Sequence, residues 1–396
     1  MKNIRLQFLE HIGQTSPSPL MIEVARAEGV YFYTPEGKRY FDLISGVSVS
    51  NVGHGNPAVT EAVCRQVRDY MHVMVYGEVL EKPQVEYASK IASLLPSPLE
   101  SVYFVNSGAE AVEGALKLAR RYTGRQEILS CTNSYHGSTL GAMSVMHHEE
   151  YHEKYGPMLP GVGWIDHGSI PDLEKITERT ACVLIEPVQG EAGVRLPTEG
   201  YLEALRKRCT LTGTVLIFDE IQTGFGRIGS MFALEKYGVT PDILCLAKSL
   251  GGGMPLGAFI SSAEIMGVLS HDPALGHITT FGGHPVCCAA GLAALDYIMG
   301  HDLHKRAEEN GRLFEELLSP HPAVKEIRRC GLLMAVELGS AERMFTIMDH
   351  FRQAGILSDW FLFCDTAFRI SPPLTISGDE IRLCCKMITE GLSNLL

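Results

Sequence analysis

The sequence predicts an α/β fold: a largely parallel sheet covered by helices on both faces, followed by a second, smaller α+β unit. Three observations carry this. From about residue 55 to 295, short apolar runs rich in β-branched or aromatic residues alternate with longer amphipathic stretches. After about residue 296 that alternation gives way to helix, strand, helix, helix. With 396 residues, of which 45% are hydrophobic, the chain can bury a sizeable core and is long enough for two domains.

Near the start, GVYFYT and RYFDL read as short strands separated by the turn Pro35-Glu36-Gly37, a β-rich entry segment. Next, SVYFVN, EILSCT, ACVLIEP, TVLIFDE and DILCLA read as strands buried on both faces, because apolar residues run on without polar alternation. EAVEGALKLARRY and GYLEALRKRCTLT are the clearest helices between them. The tail holds the helix LHKRAEENGRLFEELL, the strand GLLMAVEL, another helix, and a last helix from Gly378 onward. The expected division is residues 1–50, 51–295 and 296–396.

Composition excludes several classes. A net charge of -12 would repel nucleic acid and anionic membranes, and no basic run reverses it locally. No apolar stretch approaches the length of a membrane span. The stretch MKNIRLQFLEHIGQTSPSPL interrupts its apolar residues with Glu10, His11 and Gln14, unlike a signal peptide, so a cytoplasmic protein is expected. The eleven cysteines include no C-x-x-C pair and read as buried free thiols. His147, His148 and His152 stand among Glu149 and Glu150; with no second cluster to complete a metal site, a solvated surface is expected and no metal.

In an open parallel sheet, ligands bind beyond the carboxyl ends of the strands, so polar residues just after the strand runs are the informative ones. SVYFV ends in Asn106-Ser107-Gly108-Ala109, where a helix begins at once. Its free N–H groups and the Ser107 hydroxyl suit a phosphate, while a plain N-cap by Ser107 is the alternative. TVLIF runs into Asp219 and Glu220, and an acid at a buried strand end calls for a metal, an arginine or a protonated heterocycle. Lys248 ends DILCLA just before three glycines; at the mouth of a sheet an amine backed by apolar residues can be tuned to form an imine, although a lone lysine is usually surface. Gly224-Phe225-Gly226-Arg227-Ile228-Gly229 matches G-x-G-x-x-G, but five residues separate it from the strand and no acidic strand end follows, which argues against a dinucleotide site.

Together NSGAEA, SYHGST, IEPVQGEAG, FDEIQTGFGR, LAKSLGGGMPLGA, TTFGGHP and RISPPL resemble, in order and from about Ile22 to Pro373, the class III (ω-amino acid) pyridoxal-phosphate-dependent aminotransferases, in the ornithine, acetylornithine and 4-aminobutyrate branch. The resemblance implies a fold type I transferase. Its large domain has a mostly parallel seven-stranded sheet flanked by helices, its small α+β domain is built from both termini, and it forms a homodimer with shared active sites. By motif, Lys248 would carry pyridoxal 5'-phosphate as a Schiff base and Asp219 would keep the pyridine nitrogen protonated. Gln222 would bond the phenolic oxygen, and Tyr135 would stack on the ring. Ser107, Gly108 and Ala109 would hold the phosphate, with Thr280 reaching over from the neighbouring subunit.

The implied reaction transfers an amino group from a primary amine or ω-amino acid to an oxo acid, 2-oxoglutarate, with ping-pong kinetics. In glutamate-using relatives, the arginine at the place of Arg369 clamps a carboxylate and the glutamate at the place of Glu191 pairs with it otherwise; a purely structural ion pair is the other reading. Ser138 departs from the pattern, standing where ornithine-type and acetylornithine-type members have arginine, and leaves the donor open. The same scaffold could instead serve an aminomutase, racemase or decarboxylase.

Overall fold

The computed structural model describes residues 4–395; Met1, Lys2, Asn3 and Leu396, which belong to the outermost segments just discussed, lie outside the described residues. Among the described residues there are three sheets. The largest has seven strands in the spatial order Ser101–Val105, Gly257–Ser261, Ile243–Leu246, Val215–Asp219, Thr180–Ile185, Glu127–Cys131 and Val162–Ile165. Gly257–Ser261 runs antiparallel to both neighbours and the remaining pairings are parallel.

All five strand runs read from the sequence are present, and the two missed ones have physical reasons. Val162–Ile165 is a short edge strand with only Ile165 fully buried, so it lacks the unbroken apolar signal. Gly257–Ser261 opens on a glycine after a glycine-rich turn, which reads locally as loop. Every residue of Thr180–Ile185 is buried, because helices cover both faces of the sheet.

The helix Gly108–Thr123 begins at the Ser107 N-cap, whose hydroxyl accepts from the Glu110 N–H at 3.2 Å, and ends at Gly124 in the left-handed region. Gly114 lets it lie on the sheet, since a β-carbon there would collide with the Phe259 ring. Helix Pro285–Gly300 packs against Pro57–Asp69 and Lys82–Ala92, which explains its apolar sequence. Among the described residues, no single helix is long and apolar enough to cross a membrane.

The remaining sheets come from the chain ends. Arg26–Glu28, Tyr31–Tyr33 and Arg39–Asp42 form an antiparallel meander whose last strand pairs in parallel with Ile356–Leu357. Glu326–Cys330, Leu333–Glu337, Cys364–Ile370 and Trp360–Phe361 form an antiparallel sheet. The last helix, Gly378–Ser393, starts with a capping box between Ser377 and Glu380. The glycine-rich run 224–229 is where these parts are bolted together. Arg227 donates to the carbonyls of Leu332 and Pro372 at 3.1 and 2.6 Å and to Asn51 Oδ1 at 2.5 Å, so the run is a structural joint.

Candidate active site

At their carboxyl ends, four strands of the large sheet deliver polar residues to one cavity of about 510 Å³, a size typical of small-molecule sites. Val215–Asp219 brings Asp219, Ile243–Leu246 leads into Lys248, Thr180–Ile185 into Glu186, and Ser101–Val105 into Asn106, Ser107, Gly108 and Ala109. Tyr135, His136 and Ser138, from the turn after Glu127–Cys131, also line it, as do Glu191 and Gln222.

Lys248 stands on a backbone with φ 50°, a left-handed conformation costly for a residue with a β-carbon, and begins a short 3-10 turn. Its amine pKa is lowered, chiefly by desolvation and further by the Arg369 charge, while Glu191, Asp219 and Glu186 oppose the shift. Desolvation of this kind makes a lysine nucleophilic.

Asp219 is paired directly across the ladder with Cys245, three residues before Lys248, so acid and amine leave the sheet side by side. Its Oδ2 accepts from His136 Nδ1 at 2.7 Å and its Oδ1 from the Ile221 N–H at 3.0 Å. The partner that a buried acid requires is thus partly a histidine, an option absent from the metal, arginine and heterocycle weighed above. A carboxylate has about four lone-pair positions, so Asp219 keeps capacity for one more donor from the cavity.

The neighbouring acid has another use. Glu220 is fully buried, accepts from the N–H groups of Ala233 and Leu234 and from the Thr223 hydroxyl, and burial raises its pKa to about 7. It caps the short helix Ala233–Tyr237.

Two residues of the site were not picked out in the sequence. His136 is buried and orders Asp219, with Nε2 3.3 Å from the Ser130 hydroxyl. Glu186 receives the N–H groups of Tyr135 and Gly190, each at 3.1 Å, and its carboxyl is raised to about 7, first by burial and then by Asp219, against the influence of His136. The strand-end argument that flagged Asp219 applies equally to the glutamate of ACVLIEP. For His136 the signal was weaker, a histidine in a turn after a strand.

The remaining predicted residues divide. Ser107, Gly108, Ala109 and Tyr135 line the cavity, and the Ser107 hydroxyl also serves as the N-cap, so both readings of that residue hold together. Gln222 is buried in the wall, and its Nε2 has no partner among the described residues. Gly190 makes room for it, because a β-carbon there would strike the Gln222 amide. Ser138 faces the cavity with its hydroxyl 3.2 Å from that of Tyr135. Thr280 is exposed and lies outside the cavity of its own chain, whereas Thr279 bonds Asn106 at 2.8 Å. Arg369 lies behind the wall: Nη2 donates to both Glu191 oxygens at 2.9 Å and Nε to Asp359 Oδ1 at 2.9 Å, while Nη1 is unpartnered among the described residues.

In the histidine cluster His147, Glu149 and Glu150 are exposed as expected, and the correction concerns His148 and His152. His148 is half-buried and stacks on Phe363 with ring centroids 3.8 Å apart, and His152 Nε2 lies 2.8 Å from the Met143 carbonyl. The polar neighbours Glu149 and Glu150 made the segment read as solvated surface, but the aromatic loop it packs on lies more than two hundred residues away in sequence.

A lysine and an acid on adjacent strand ends, facing a cavity lined by a helix start, suit an α/β enzyme that carries a phosphorylated cofactor on an amine. The chain belongs to the class-III aminotransferase family, whose model matches residues 12–392. It is 40% identical over 386 residues to the acetylornithine aminotransferase of Methanopyrus kandleri, covering 96% of both chains, and 39% identical over 391 residues to that of Methanocaldococcus jannaschii, covering 95% of this chain and 94% of that one. Among solved structures, the ornithine aminotransferase of Toxoplasma gondii superposes with a TM-score of 0.92 at 31% identity, over 99% of this chain and 94% of the other. The acetylornithine aminotransferase of Elizabethkingia anophelis gives 0.85 at 33%, over 100% of both. The protein is a pyridoxal-phosphate-dependent aminotransferase with the expected fold type I architecture.

Proposed function

We propose that Lys248 and Asp219 are the catalytic residues of an aminotransferase that moves an amino group from a primary amine or ω-amino acid to 2-oxoglutarate. The observation that carries this is their placement on adjacent strand ends facing one cavity. The unpartnered Gln222 Nε2 in the wall is the test of fit, since it supplies a donor where the cofactor's phenolic oxygen would need one. Lys248 would hold pyridoxal phosphate covalently, Asp219 its ring nitrogen, Tyr135 its ring face, and Ser107, Gly108 and Ala109 its phosphate. When bound, the cofactor supplies an electron sink for the carbon bearing the amino group.

The chain's own groups account for the rest. His136 orients Asp219 through the 2.7 Å contact between Nδ1 and Oδ2. Nζ of Lys248, its pKa lowered by desolvation, is suited to take a proton from the substrate carbon. Arg369 would receive a carboxylate of glutamate or 2-oxoglutarate once Glu191 moves aside. Among the described residues, Lys248 is the only lysine or arginine lining the cavity, and Ser138 offers only a hydroxyl, which favours an amino donor without a second carboxylate at that end.

The reading includes a homodimer with Thr280 of the partner subunit completing the phosphate site. Ile278 and Phe281, exposed apolar residues on the segment that carries Thr280, support a covered face there. It also keeps the division at residues 50 and 295 and a cytoplasmic setting. Purified enzyme should absorb in the visible through the lysine-linked cofactor. Lys248→Ala should abolish that band and turnover, and glutamate alone should bleach it in a half-reaction. A wild type that stays colourless after incubation with the cofactor, or one indifferent to glutamate, would overturn the respective claims.

A further inference from the structure

The loop 359–363 packs against both Arg369 and Glu191. Asp359 Oδ1 accepts from Arg369 Nε at 2.9 Å, the Trp360 carbonyl lies 3.5 Å from Nη2, and the Phe361 ring lies 4.6 Å from the guanidinium carbon. The Leu362 N–H donates to Glu191 Oε2 at 3.1 Å and the Phe363 N–H to the Glu191 carbonyl at 3.0 Å. One tie thus holds the Glu191 backbone and the other its carboxylate.

The loop is itself held from the large-sheet side. The Phe363 ring stacks on His148 at 3.8 Å and 10°, and Tyr151 meets Phe363 edge-on at 5.9 Å. His148 Nε2 is buried without a partner among the described residues, and burial lowers the imidazole's pKa against the opposing Glu150 charge.

When Glu191 swings off Arg369, it leaves two donors facing the same place, Arg369 Nη2 and the Leu362 N–H, with the unpartnered Nη1 beside them. The Phe363 tie would keep the Glu191 backbone in place, so that only the side chain need move. We infer that the loop 359–363, pinned by the stacking of Phe363 on His148, is a carboxylate-recognition element. The Leu362 N–H joins Arg369 in binding the substrate carboxylate, and His148 is a positioning residue that holds the loop. This rests on the reading of Arg369 given above.

The test uses the holoenzyme and glutarate, a dicarboxylate with no group to transaminate, titrated calorimetrically. Hydroxylamine, an amine nucleophile without a carboxylate, serves as the control for an intact site through its rate of cofactor release. His148→Ala should weaken glutarate binding roughly tenfold, the scale of one hydrogen bond to a charged group, and leave the hydroxylamine rate within about twofold. His148→Phe retains the stacking plane and should restore binding to within about threefold of wild type. The same split should appear in the glutamate half-reaction, as a raised KM with kcat kept. Unchanged glutarate binding in His148→Ala, equal losses with glutarate and hydroxylamine, or failure of His148→Phe to rescue would overturn the inference. Arg369→Ala separates the layers: if it abolishes glutarate binding while His148→Ala does nothing, only the pinned loop falls. If Arg369→Ala binds glutarate normally, the carboxylate reading falls and the loop's role with it.

Discussion

Among the described residues two arginines, Arg227 and Arg369, are fully buried, and their surroundings differ in a way that separates a joint in the fold from a side chain beside the cavity. Arg227 is held by neutral acceptors, two backbone carbonyls, Asn51 and Ser45. Burial lowers its pKa, opposed only by the charge of Asp42. Arg369 is held by the carboxylates of Glu191 and Asp359, which outweigh burial and raise its pKa. Backbone carbonyls cannot leave; a glutamate side chain can. Each arginine also has one unpartnered nitrogen, Nε in Arg227 and Nη1 in Arg369, but only the partners of Arg369 include a side chain lining the cavity. A buried arginine bonded to the main chain fastens segments together, whereas one held by the carboxylate of a cavity-lining side chain is, on the function proposed above, a binding site kept neutral until a ligand anion replaces its partner.

The sharpest way to break this comparison is to remove each cation. Arg227→Ala should destabilise the fold by several kcal/mol, about 1–3 kcal/mol for each buried acceptor left unsatisfied, read from chemical unfolding. Arg369→Ala should lose about a hundredfold in kcat/KM for glutamate, read in the half-reaction, with the hydroxylamine rate within about threefold. If Arg227→Ala is as stable as wild type, or Arg369→Ala slows both reagents alike, the division between bolt and binding site is wrong.

Glu191→Gln weakens the movable partner while keeping its size. Glutamate should then bind several-fold more tightly, on the scale of one charged hydrogen bond, measured as a lower KM; a higher KM would mean that the pair is structural. The smallest effect concerns acids buried without an arginine. Glu186 and Glu220 both rise from 4.5 to about 7. With folded-state values above the unfolded ones, the folded protein holds protons the unfolded chain has released, so their contribution to stability is retained below about 4.5 and lost as pH rises through about 7. Unfolding midpoints between pH 5 and 7.5 should show that decline, and Glu220→Gln should flatten it. An unchanged slope in the variant would dismiss Glu220 as a source.

The outline of the large sheet was legible because each buried strand announces itself by an unbroken apolar run, and a polar residue straight after such a run must sit at the sheet's edge. That logic found Asp219 and Lys248 and was equally entitled to find Glu186. It was blind to Gly257–Ser261, whose glycine start hides a buried strand, and to His148, whose polar neighbours hide the ring it stacks on.

What the sequence determined alone is therefore local: the strand ends, the helix start at Ser107, and the order of motifs that marks the family. The tertiary structure decided what depends on distant partners. It turned Asp219 toward His136 and the cavity while Glu220, the next residue, caps a helix. It joined Arg369 to Glu191 across 178 positions and pinned their loop on His148. Strand patterns arise from neighbours in the chain, whereas the pairing of buried charges depends on which loops the sheet order brings together, and no local window contains that information.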